Sequence, residues 1–279
     1  MPNTDRKLFF GLFIFPLLIA VGMAVLLCSV VLLTNETETP ETLISAIKTG
    51  SVSKRWQKAF ELSNELNRGS HSIRSEAVMR EIIYILGDRE LYDSKTRGYM
   101  AIALSHFHKP EAASALQKNL GDSDKDVLIY TLWALGAIGA KESESSIAPF
   151  LKNESDELRK MSAYVLGIIG NQKTTELLLP LLKDSVSDVR WNAALALARL
   201  GNNEGQEVLL KMLDRDTLVS QFQMDETQIE SLMINSTKGL ALIGNKKAQQ
   251  ILEFVSHNEK NLKVRQAAMD AIQYQNAHD

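Results

Sequence analysis

From about residue 94 onward the chain alternates apolar and polar positions at helical spacing, and each helical stretch ends on the same short signal. In Asp188–Gly201, Val189, Ala193, Ala194, Leu197 and Leu200 fall on one face of a helix. Asp188 stands at its start, where an acid meets the free amides and the positive end of the dipole. Gly201 stands where a helix needs a left-handed terminating residue. A second apolar stripe, Val208, Leu209 and Leu213, predicts a partner helix from Glu204 to Leu213.

The unit repeats. Ile138-Gly139 returns as Ile169-Gly170, Leu200-Gly201 and Ile243-Gly244, with glycines spaced 31, 31 and 43 residues. The starts align too: Asp126-Val127, Glu157-Leu158-Arg159, Asp188-Val189-Arg190 and Lys263-Val264-Arg265. Thr96–Leu104 is a weaker copy with His108 in place of the glycine, and Ser53–Leu66 with Ile73–Leu86 reads as a degenerate first pair. A period of this size means one helical hairpin copied and stacked. Alanines recur mid-helix where two helices must approach closely, and Pro180, inside Leu177–Leu182, predicts a kink. The expected fold is an all-α solenoid of about seven hairpins over 51–276.

These motifs resemble the HEAT-like repeat family in its short 31-residue form, also seen in phycobilin lyase subunits. The resemblance covers roughly residues 51–276. It implies a stacked binding scaffold, and it leaves function open because one fold serves many tasks. The di-iron hydroxylases built from such repeats use paired His-Glu dipeptides; none of His71, His106, His108, His257 or His278 is followed by glutamate. No cofactor, metal or small-molecule substrate is expected.

Ahead of the repeats, Leu8 to Leu33 is 26 residues without a charge. A spanning helix needs about 20, and no small-residue cleavage site follows. The expectation is residues 1–7 in the cytoplasm, a signal anchor over 8–33, a tether with a short helix over 34–50, and the repeats outside a bacterial inner membrane. The orientation follows Arg6 and Lys7 against the acidic flank Glu36, Glu38 and Glu41. Cys28, the single cysteine, lies in this run; Leu27 before it and Val30 to Leu33 after it argue against lipidation.

Charge narrows the partner. A formal net charge of -3 lacks the basic footprint that nucleic-acid binding needs. The expected role is a non-enzymatic scaffold or accessory subunit for a membrane-associated protein partner. The alternatives are a helper in cofactor attachment, as the lyase resemblance implies, and a structural subunit of a transporter or respiratory assembly. Arg97, Arg159, Arg190 and Arg265 recur beside Asp126, Glu157 and Asp188, which predicts a ladder of inter-repeat ion pairs rather than an anion-binding stripe. Trp133 replaces a core alanine or leucine and reads as packing; Trp56 and Trp191 follow a ladder arginine, and packing between repeats is the favoured reading for them over partly exposed partner anchors.

The long last glycine gap holds one insertion, Asp214 to Thr227. It carries Leu218, Val219, Phe222 and Met224, which are costly to leave in water. Two uses stay open: a partner-binding loop, or a helix start packed on its own repeat.

Overall fold

The computed structural model describes residues 14–34, 39–69 and 73–277. Residues 1–13, with Arg6 and Lys7, lie outside them, as do Glu36, Glu38, His71 and His278. Helix α1 (Phe15–Thr34) precedes the repeats. Seven helices then form one layer, here the A layer: α3 (Val52–Arg68), α5 (Ser94–Leu104), α7 (Lys125–Ile138), α9 (Asp156–Ile169), α11 (Ser187–Arg199), α14 (Glu226–Ile243) and α16 (Leu262–Asn276). Between them run the B-layer helices: α2 (Pro40–Thr49), α4 (Glu76–Gly87), α6 (Pro110–Asn119), α8 (Glu144–Ile147), α10 (Thr174–Leu178), α12 (Gln206–Lys211) and α15 (Lys246–Asn258). Successive A helices pack on one another, and each packs on its own B helix. The result is an α-solenoid whose core runs between the layers.

Local chemistry explains the elements. Asp93, Asp124, Asp225, Asn245 and Asn261 accept backbone amides of the first helical turn, and Asp225 with Gln228 forms a capping box. Asp188 does not cap α11, which starts at Val186 without a side-chain cap; its carboxylate takes Lys160 of the previous repeat at 3.2 Å. At Pro180 the B helix changes from α10 to a 3-10 turn, Leu179–Lys183, because the missing amide removes one i→i−4 bond. Ala148–Lys152, with Pro149, repeats the device.

Glycine serves two purposes. Gly139, Gly201 and Gly244 take positive φ at helix ends, where other residues are strained. Gly170, expected to do the same, is extended at φ -69 and ψ 179. There the next turn is closed instead by the Asn171 amide donating to Thr174 Oγ1 at 2.8 Å. Gly136 and Gly167 sit mid-helix, and a Cβ on Gly167 would lie 2.6 Å from Ala196. Glycine is what lets α9 and α11 touch.

The short helix at 40–49 starts on Thr39 and Pro40, and it packs along α3, burying Leu43, Ile44 and Ile47. The solenoid therefore begins at Pro40. The amino-terminal segment departs from expectation. Among the described residues no helix is long and apolar enough to cross a membrane. The signal anchor and the single-pass placement with cytoplasmic amino terminus and periplasmic repeats are corrected accordingly.

Candidate binding face

The N-cap register decides which side chains of an A helix face the next repeat and which face outward. At 100° per residue, positions 2, 6, 9 and 13 past the N-cap share one face, and in the A layer that face is the one left uncovered by neighbours. On it stand Phe60 of α3, Tyr99 of α5, Tyr130 and Trp133 of α7, Met161, Tyr164 and Ile168 of α9, and Arg199 of α11. Phe60 meets Tyr99 edge-on at 5.3 Å, and Tyr99 stacks on Tyr130 at 6.3 Å and 19°. Gly98 makes room for the stack: a Cβ there would lie 2.6 Å from the Tyr130 ring. Arg199 lies over Tyr164 at 5.3 Å, and Lys95 over Trp56 at 5.3 Å. Burial, with Tyr99 and Asp126 adding to it, pushes the Tyr130 hydroxyl up, so the ring presents a neutral phenol. The face carries an aromatic strip over four repeats, joined by ring contacts from Phe60 to Tyr130 and continued by Trp133 and Tyr164, each ring partly open to solvent.

Of the tryptophans, Trp133 departs from the packing expected of it, and Trp191 packs as expected. Trp133 is 37% exposed on the strip, whereas Trp191 is 7% exposed beneath the insertion, edge-on to Phe222 at 5.4 Å. Trp133, nine residues past its N-cap, is on the outward face; Trp191, five past its own and only 40° away in helix register, is buried because the insertion lays Phe222 against it. Counting from the N-cap rather than from the glycine would have found the strip.

The arginine ladder forms with other partners than the expected acids. Arginine four residues past one N-cap meets the residue two before the N-cap of the next A helix. Arg97 Nε and Nη2 donate to Asp122 at 3.3 and 3.1 Å, and Arg159 donates to Asp184 at 2.8 and 3.0 Å. Asp184 is held below the usual carboxylate range by Arg159. Arg55 uses the backbone carbonyl of Leu91 at the same place, 2.6 Å away. The acids Glu157 and Asp188 take Lys125 and Lys160 instead, as a second, exposed row of pairs. Ser155 and then Lys125 pull Glu157 down to about 2.

At the insertion this pattern is rewired. Arg190 donates only to the carbonyls of Asp184 and Ser185, because Gln223 occupies the acid's place. Ile229 stands where the next arginine belongs, and Arg215 reaches Glu259 in its stead at 2.6 Å, with Glu226 at 2.7 Å. The insertion forms a short helix, α13 (Arg215–Ser220). Leu218 is 1% exposed within the C-terminal core, Met224 packs against that core, Val219 is 51% exposed, and Phe222 covers Trp191 with one edge open. The four apolar residues thus divide between the core and the surface.

Among the described residues the histidines do not converge. His106 is half-buried, and burial followed by Arg74 and His108 holds its pKa down, while His108 and His257 are exposed. Among the described residues no three His, Cys, Asp or Glu side chains gather as a metal-binding group. A groove of about 730 Å³ opens on the B layer between α4 and α6. Its charged lining includes Arg89, which is committed to Asp122 at 3.5 Å, so it offers less recognition chemistry than the aromatic strip.

Comparison with known proteins bears on the fold. Residues 144–221 match the profile of HEAT repeats. No curated protein sequence matches the chain. Among solved structures, the complex of CpcE and CpcF of phycocyanin lyase from Nostoc sp. PCC7120 aligns with a TM-score of 0.60 at 19% identity, covering 87% of this chain and 96% of that one. YibA of Escherichia coli aligns at 0.50 and 14% identity, covering 84% and 92%. At these identities the likeness is one of fold: an all-helical repeat solenoid of the HEAT type.

Proposed function

We propose that this chain is a non-catalytic scaffold that holds a protein partner across the A layer. The observation that carries this reading is the aromatic strip from Phe60 to Tyr164. Single exposed apolar residues are ordinary on any surface, but contiguous ones mark interaction sites, and tyrosine, tryptophan and arginine are the residues that most often dominate binding energy. A rigid stack of A helices presents them without ordering cost. The insertion contributes a second contact through Val219 and Phe222, with Leu218 and Met224 supporting it from beneath. The test is binding of the co-purified partner to a Trp133→Ser, Tyr164→Ser double variant. Affinity is expected to fall about 30-fold, the effect of about 2 kcal/mol at a hot spot, with melting nearly unchanged. Undiminished affinity would remove the strip from the interface.

A second reading is a helper in covalent cofactor attachment, supported by the fold match to the CpcE–CpcF complex. It is distinguished by its readout: a helper accelerates attachment of a cofactor to an acceptor protein, whereas a scaffold changes only where the acceptor is held.

A further inference from the structure

Nine residues past the N-cap, six successive A helices carry an apolar side chain: Phe60, Ile102, Trp133, Tyr164, Leu195 and Ile234. None of the six is fully buried, and Phe60 and Trp133 are 45% and 37% exposed. This row runs lengthwise through the aromatic strip and on past it, across the A helices rather than along any one of them. Asp270 holds the position in α16 and closes the row. The two edges of the row differ in charge. On the side of the helix starts, Glu157 and Asp188 are neutralised by Lys125 and Lys160, while Asp126 has no ion-pair partner among the described residues. On the side of the helix ends stand Arg199, which rests on the Tyr164 ring, and Lys238; among the described residues neither pairs with a carboxylate.

We infer that the partner element seated on the strip is a single amphipathic α-helix lying along the solenoid axis, with one apolar side chain per repeat, a carboxylate on the flank toward Arg199 and Lys238, and a cation on the flank toward Asp126. This rests on the strip being the binding face, and it names what covers that face. Backbone chemistry selects a helix. An extended chain needs hydrogen-bond partners for its own amides and carbonyls. Of the six row residues only Trp133 and Tyr164 carry a side-chain polar atom, whereas a helix satisfies its backbone internally. Spacing agrees. Packed helices lie about 8–10 Å apart, and two turns of a helix, about seven residues, advance about 10.5 Å. A partner helix therefore returns the same face to the row at each repeat.

The test uses the full chain with a benzophenone amino acid at Phe60, Trp133 or Tyr164, one position at a time, and reads the attachment site on the captured partner by peptide mass spectrometry. Phe60 and Trp133 are two A helices apart, and Trp133 and Tyr164 are one. The attachment sites should fall in order within one partner segment, about fourteen and about seven residues apart. Separations of about six and about three residues would mean an extended chain rising about 3.3 Å per residue and would overturn the inference. Sites scattered over separate segments would overturn it as well, and both results leave the strip as the binding face. No adduct from any of the three positions would reject the strip itself and the helix with it. The charges are tested in two exposed variants, Lys238→Glu and, separately, Asp126→Lys. Each should lower the adduct yield from position 133 about fivefold, the scale of one exposed ion pair lost. An unchanged yield in either would overturn the charge assigned to that flank.

Discussion

The repeats from Ser94 to Arg199 and those from Gly201 to Asn276 are built from the same unit, yet they are held together differently. In the first region one rung recurs between repeats: Arg97 to Asp122, then Arg159 to Asp184. Where α7 has Leu128 instead of arginine, the following repeat has Asn153 instead of an acid, so rung and partner are lost together. In the second region the spacing is broken by α13, Arg190 is left with carbonyls, and Arg215 supplies the missing cation to Glu259. Two hydrophobic clusters mirror this division. One runs from Leu43 to Leu197, the other from Trp191 to Ala271, and they meet at α11. A periodic sequence repeats its contacts; an insertion must bring its own.

The largest expected effect lies at that meeting point. Ala194 is fully buried, and its Cα lies only 2.7 Å from where a Cβ on Gly205 would be. Ala194→Asp should cost several kcal/mol and, through nearest-neighbour coupling, unfold both regions together. Urea denaturation followed by circular dichroism measures it, and an unchanged midpoint would refute the packing register.

Next come the rungs. The Asp122 side chain is fully buried against Arg97. Asp122→Ala leaves an uncompensated guanidinium and should cost about 3–5 kcal/mol. Arg215→Ala, on the rewired side, strands Glu259 closer to water and should cost less, about 1–3 kcal/mol. Equal losses would mean that the two regions are not held by different means.

The insertion divides on a smaller scale. Leu218→Ser should lower stability by about 2–4 kcal/mol, because it removes a buried side chain and inserts a hydroxyl. Val219→Ser should stay within about 0.5 kcal/mol, as an exposed substitution does. If both are silent, α13 is not part of the C-terminal core.

Acid gives the smallest and broadest effect. Glu157, Asp184, Glu226 and Glu230 are all held below the ordinary carboxylate range by hydroxyl, arginine, asparagine and lysine partners. A depressed folded pKa contributes stability above the unfolded value, near 4, and loses it as pH falls through the folded value. The melting temperature should therefore decline from about pH 4 and keep falling toward 2, the value to which Glu157 is pulled. Lys125→Met, which removes one of that residue's partners, should narrow the window from its acid side.

Most of the fold was readable before any coordinates because the repeat writes itself several times. The glycines at 139, 201 and 244, the alanine packing and the proline switch in the B layer all follow from period and propensity. Gly170 did not follow, since Asn171 and Thr174 supply another way to close the same turn. The strip was harder to see. Trp133 and Trp191 lie only 40° apart in helix register, and what buries Trp191 is Phe222 of the insertion, a contact that the repeat period does not contain. The ladder's arginines were visible, but their partners lie 25 residues away across a loop, and the nearer acids at 157 and 188 were the obvious candidates. Apolar character alone also could not separate Leu218 from Val219.

The claim that the A layer is the binding face is tested most directly by contact. A photo-crosslinking amino acid placed at Trp133 of the A layer, or at Leu177 of the B layer, both exposed, reports which side the native partner covers. Docking across the strip should give a single protein adduct from position 133 and none from position 177. Adducts from position 177 alone would place the partner on the other layer and contradict the account.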